Sequence, residues 1–334
     1  MASRALLLLV CALGISGFVS GGDAGYDAIF ESSAKLKVES AGGSGGEGPA
    51  WDPTLGLLTS GNGHIYQLDR AGKSRIYRKD AGTNGLLFDA QGRLLACEPK
   101  LRRITRTEKN GTITILTDRY EGKRYNQPND ITVDSQGRIY FSDPRYGNPK
   151  GMELFDAGGK NIEGVYRIDV DGKVTRVIGR ELERPNGMLV SAGDRYMYVA
   201  DNNNDTAGGA RKLWRFDLRK DGTVDFAGRR LVHDWDKGRG PDGVKQDQQG
   251  RLYVAAGLNK PNPPFEPATD QKGGIYVFSA EGKLLTFLGV PTDEVTNCAF
   301  GGDDLRTLYI TAGGTVYSMR TRTPGRVVWP RGTP

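Results

Sequence analysis

The chain has 334 residues, 37% hydrophobic and 26% charged, with 48 glycines and a formal charge of +6. Glycine recurs without a three-residue period, which excludes a collagen-like chain and favours a turn-rich β-protein. The positive charge is dispersed, with no Lys/Arg block to track a phosphate backbone, so no nucleic-acid partner is expected.

Residues 1–22 read MASRALLLLVCALGISGFVSGG. One Arg, an apolar core of about ten residues and a run of small residues make a secretory signal peptide. The apolar stretch is too short and too interrupted by Gly and Ser to span a membrane. The expectation is a periplasmic or secreted protein, with no membrane insertion once this leader is cleaved. A flexible segment is predicted over 23–33, a folded domain over 34–322 and a C-terminal tail over 323–334. Outside the leader stand Cys97 and Cys298, in no CxxC or Cys/His spacing. Zinc ligation is not indicated, and both are expected as buried, unpaired strand cysteines.

From residue 47 onward one grammar repeats. Units open at GEGPAWD (Glu47), TNGLLFD (Asn84), PNDITVD (Asn129), PNGMLV (Asn186), PDGVKQD (Asp242) and TNCAFGG (Asn297), spaced by 37, 45, 57, 56 and 55 residues. Each continues with a turn, DxxG in several units (DAQGR, DSQGR, DQQGR), and then a second strand (RLLACE, RIYFSD, RYMYVAD, RLYVAA, TLYITA). A variable stretch, a third strand (HIYQLD, GVYRID, KLWRFD, GIYVFS), another Gly turn and a fourth strand follow. Runs of this length, rich in Val, Ile, Tyr and Leu, are strands and not helices. Six four-stranded antiparallel units predict an all-β, six-bladed β-propeller. The dipeptide WD does not recur once per unit, so the repeat is not a WD40 array. The segment AKLKVES (34–40) is expected to close the ring by adding a strand to the last blade.

Strand parity decides which loops share a face with the unit heads. The second strand returns to the face where the first began, so the stretch between strands two and three lies beside the heads. In units three, four and five that stretch is long: SDPRYGNPKGMELFDAGGKNIE, DNNNDTAGGAR and GLNKPNPPFEPATDQKGG. Three long loops over one mouth predict a substrate-shaping rim.

The heads Glu47, Asn84, Asn129, Asn186, Asp242 and Asn297 all carry side-chain oxygen. Taken singly, Asn-Gly and Asp-Gly are turn pairs. As a set converging on one axis they form hard ligands for one divalent cation, Ca²⁺ foremost, with Mg²⁺, Mn²⁺ and Zn²⁺ as alternatives. A serine hydrolase is not indicated: the two histidines, His64 and His233, stand in no GxSxG context. His64 is expected on a surface strand and His233 against Trp235.

The motifs EGPAWD, NQPNDITVDSQGRIYFSDPRYG, RPNGMLV, YVADN, PDGVKQDQQGRLYVAA and TNCAFGGDDLRTLYITA resemble the SMP-30/gluconolactonase family of six-bladed propellers, from about residue 40 to residue 320. The resemblance implies a central catalytic cation and hydrolysis of a small-molecule sugar lactone. By motif, Glu47, Asn186 and Asp242 would be the firmest metal ligands. Asn129 would be a fourth ligand or a substrate contact, and Asn84 and Asn297 polar lining. Asp242, with Glu47 as second candidate, would be the catalytic carboxylate taking a proton from the attacking water. Asn84, Asn129, Asn297, Arg145 and Tyr146 would contact substrate. The family often carries CEHGNRRV in its second blade; here CEPKLRRI puts Pro99 in place of that His, which removes any contact or relay through it. A monomer is expected. A phosphotriester hydrolase on the same ring and a non-catalytic Ca²⁺-stabilised binding propeller are the alternatives.

Overall fold

Each DxxG turn is closed by its own aspartate. In three units Asp89, Asp134 and Asp247 accept the backbone N–H groups two and four residues on through Oδ1. Their Oδ2 atoms take the Nε of the following Arg93, Arg138 and Arg251 at 2.5–2.7 Å. The turn glycines, such as Gly137 with φ 82°, occupy the left-handed region that favours glycine. The same bonds therefore recur wherever the motif does.

The computed structural model describes residues 24–148 and 150–329; the leader predicted over 1–22 lies outside them. Six four-stranded antiparallel sheets form the blades of a propeller. Their innermost strands are Glu47–Asp52, Leu86–Phe88, Ile131–Val133, Pro185–Val190, Val244–Gln246 and Val295–Gly301. Second strands such as Leu94–Glu98, Ile139–Asp143 and Leu252–Ala256 are buried at every position, because blades pack against both of their faces. The outermost Ser74–Arg78 is mostly exposed. The ring closes as expected: Lys37–Gly45 pairs with Gly314–Arg320 as the outer strand of blade six. Cys97 and Cys298 are buried free thiols, and His233 packs edge-on against Trp235 at 4.5 Å.

Both ends of the described chain are docked. The segment 23–33, expected to be flexible, buries Ile29 and Phe30 against blades five and six over its described part. Two apolar side chains there bury enough surface to hold it. The tail crosses the face opposite the long loops and reaches every blade. Gly325 N–H donates to Leu305 O, Arg326 N–H to Gln246 O and Arg326 Nη1 to Val190 O. Val328 packs on the cluster of blades two and three. Trp329 donates Nε1 to Asp52 Oδ2 at 2.8 Å in blade one and lies 4.9 Å beneath Lys109 Nζ of blade two. The far end of the axial channel is thus a cavity of about 70 Å³ floored by Arg326, Val327, Val328 and Trp329.

Candidate active site

Ladder register fixes which residues share a level on the axis. Leu86 pairs with Ala96, Ile131 with Phe141, Met188 with Val199, Val244 with Val254 and Cys298 with Ile310. Two residues before these pairs stand Asn84, Asn129, Asn186, Asp242 and Thr296, with Glu47 completing the level in blade one. Asn297 therefore lies one step below the ring in which the repeat placed it. Its level belongs to Gly48, Gly85, Asp130, Gly187 and Gly243. Thr296 fills the sixth place, its Oγ1 donating to Gly46 O at 2.7 Å. The facing strands carry the signal: Tyr253 faces Lys245 and Tyr309 faces Ala299, and three residues before these stand Asp242 and Thr296, not Asn297.

The glycines of that lower level are required by close approach. A Cβ on Gly48 would stand 2.0 Å from Asn84 O, and one on Gly187 1.9 Å from Asp242 O. Each blade's glycine thus lets the next blade's head come in towards the axis. Where the glycine is replaced by Asp130, the carboxylate accepts Met188 N–H across the blade boundary at 3.1 Å.

Glu47, Asn186, Asp242 and Tyr146 converge. The Glu47 carboxyl is held well above its ordinary range by burial first, then by the Asp242 and Asp130 charges. Asp242 is pushed up to about 8 by burial and Asp130, while Arg239 and a hydrogen bond from Asn186 lower it. Tyr146 is raised by burial and by the same two carboxylates. Asn186 donates Nδ2 to the Tyr146 hydroxyl at 2.7 Å. Its Oδ1 is buried with no protein partner, as is that of Asn84. Among the described residues no three His, Cys, Asp or Glu side chains form a metal cluster, so the donor set is two crowded carboxylates plus amide oxygens. Repelling carboxylates and orphaned buried acceptors are both relieved by a hard cation, so the residues fit one.

The rim positions Tyr146. Its N–H donates to Gln127 Oε1 at 2.6 Å, and the Arg184 guanidinium lies 5.1 Å from its ring centre. Arg184, almost fully buried, pairs with Glu163 at 2.8 Å and Asp205 at 2.6 Å. Arg145, expected to touch substrate, is turned into this cluster, with Glu163 at 3.9 Å and Asp205 at 4.0 Å. Asp205 sits on the long loop of blade four, so the loops of blades three and four are tied by charge. Arg211 Nη2 donating to Phe265 O at 3.1 Å ties four to five. Asn129 is buried on the ring level. Asn297 is engaged by Lys245 Nζ at 3.1 Å and Cys298 N–H at 2.9 Å. His64, accepting Asp80 N–H at 2.9 Å, stands apart from these groups. Sequence reasoning missed Asp130, Lys245 and the Arg184–Glu163 pair; only Asp130, beside a head residue, was open to it.

A family model described as the SMP-30/gluconolactonase/LRE-like region matches residues 45–314. A gluconolactonase of Zymomonas mobilis is 28% identical over 330 residues, covering 90% of this chain and 85% of that protein. A pentonolactonase of Haloferax volcanii is 26% identical, covering 80% and 81%. The solved structure of a gluconolactonase from Xanthomonas campestris superposes with a TM-score of 0.73 at 28% identity, covering 90% of this chain and 93% of that one.

Proposed function

Because the chain belongs to the SMP-30/gluconolactonase/LRE-like family, we propose that it hydrolyses a sugar lactone at the mouth formed by Glu47, Asn129, Asn186, Asp242 and Tyr146. The observation that carries the reading is the convergence of two half-buried, mutually repelling carboxylates with the orphaned Oδ1 of Asn186. Lactonase names among its relatives support the substrate class.

Glu47, Asn186 and Asp242, with Asn129 as a fourth, would hold one divalent cation, Ca²⁺ foremost. Such an ion supplies Lewis-acid polarisation of the lactone carbonyl. Asp242 takes the proton of the attacking water; burial and the Asp130 charge raise its basicity towards neutral pH. Glu47 is the second candidate for that proton. Tyr146, its hydroxyl at the ring and its position set by Gln127 and Arg184, orients the sugar from the rim side, and Asn84 lines the mouth. The clasped far end leaves the loop face as the way in and out. The leader supports action outside the cytoplasm, and among the described residues no helix is long and apolar enough to cross a membrane.

The test is kcat/KM on a panel of five- and six-membered aldonolactones beside a fluorophosphate ester. Preferred turnover of an aldonolactone, abolished in a folded Asp242→Ala protein, is the expected outcome. Preference for the phosphorus ester, or full turnover by the variant, overturns the proposal.

A further inference from the structure

One channel level below the ring differs from the rest in charge. The residues opposite Leu58, Leu95, Tyr140, Tyr198, Tyr253 and Tyr309 are Ala50, Leu87, Thr132, Leu189, Lys245 and Ala299. All six line the axial cavity, and five are uncharged. A lysine there loses hydration, so its ammonium needs compensation from the protein. Its bonded acceptors are neutral: Asn297 Oδ1 at 3.1 Å and its neighbour Val244 O at 3.2 Å. The charge that answers it is above. Lys245 acts favourably on the Glu47 carboxylate, which the charges of Asp242 and Asp130 oppose, and Asp130 acts on Asp242 in the same sense.

We infer that Lys245 is a built-in counter-cation of the site, which sets the charge of the ion that the ring accepts. The inference rests on the cation-dependent reading above. The two ring carboxylates and the neighbouring Asp130 carry three negative charges when ionised, and Arg239 and Glu294, which also act on Asp242, offset each other; a divalent ion and the Lys245 ammonium together bring the site to neutrality. With a neutral residue at 245 the pocket would be balanced by a trivalent ion instead. It lies on the far side of the ring from the rim, which makes it a positioning residue and not a substrate contact.

The test is calorimetric binding of Ca²⁺ and Tb³⁺ to metal-stripped full-length protein: wild type, Lys245→Met, Lys245→Gln, Lys245→Arg and Asn297→Ala. Removing a fixed positive charge near the ion is expected to tighten Ca²⁺ by roughly tenfold and Tb³⁺ by more, since the repulsion scales with the ion's charge. Lys245→Arg should stay near wild type, and so should Asn297→Ala, which loses the hydrogen bond but keeps the ammonium. Two neutral variants keep the test decisive should one misfold. Wild-type affinity in the neutral variants, an equal gain for both ions, or the same gain in Asn297→Ala overturns the inference. Absence of cation binding by the wild type overturns it together with the reading on which it rests.

Discussion

Asn186 gives its Nδ2 to the hydroxyl of Tyr146 at 2.7 Å, and its own buried Oδ1 is left without a protein partner. A rim residue thereby sets which end of a ring amide is tied up. Removing the hydroxyl in Tyr146→Phe deletes one hydrogen bond, worth about 1 kcal/mol. Calorimetric affinity for Ca²⁺ should fall by roughly fivefold, the binding equivalent of that loss, with the melting temperature little changed. An unchanged affinity would show that Tyr146 does not orient the amide.

The carboxylates give the metal-free protein a specific pH dependence. Asp242 is raised from 3.8 to about 8 in the folded state, so the folded chain holds a proton that the unfolded chain has released. Stability contributed by this group is therefore full below about pH 4 and is lost as pH rises towards 8. Chemical denaturation of stripped protein between pH 5 and 8 should show that decline, and Asp242→Asn should flatten it. Saturating Ca²⁺ should flatten it too, with protons released on binding, detectable as a buffer-dependent heat. A stripped protein whose stability rises across this range would contradict the assignment.

Packing at the lower level is equally specific. A methyl group on Gly187 would meet Asp242 O at 1.9 Å, and backbone cannot swing aside as a flexible side chain can. Gly187→Ala should cost about 1–3 kcal/mol in denaturant unfolding and shift Asp242 enough to weaken Ca²⁺ binding. Gly72, whose Cβ would meet nothing within 4 Å but whose φ is +81°, serves as the comparison: Gly72→Ala should carry the backbone strain alone and leave Ca²⁺ affinity untouched.

Much of this architecture was legible because a propeller writes its blades into the chain as repeats. The DxxG turns, the fully buried second strands and the closing strand at Lys37–Gly45 follow from local patterns that each blade reuses. The Thr-Asn/Pro-Asn likeness sets Asn297 one level too high, because register is set by the facing strand. A loop sequence does not reveal that Glu163 and Asp205, 18 and 60 residues away, face the Arg145 guanidinium, which is why the sequence alone points it at substrate. Lys245 lies inside PDGVKQD but matches no ligand pattern; its meaning appears only when five neutral channel positions are seen beside it.

The C-terminal clasp is the clearest such case, since it belongs to no repeat. Trp329 joins blade one through Asp52 and blade two through Lys109. Trp329→Ala should lower stability by about 1–3 kcal/mol from the lost hydrogen bond and buried ring surface. The loss should appear in thermal unfolding, with kcat/KM for a lactone changed far less than in any ring variant.

The central claim is that the ring of Glu47, Asn186 and Asp242 works on a lactone through a bound divalent cation. It is tested most directly by lactone hydrolysis on one preparation, before chelation, after chelation and after titration with Ca²⁺, beside Asp242→Asn. The account predicts that hydrolysis disappears on chelation, returns with Ca²⁺ at one ion per chain, and is absent in the variant throughout. Full activity in stripped protein, with Asp242→Asn equally active, would contradict it.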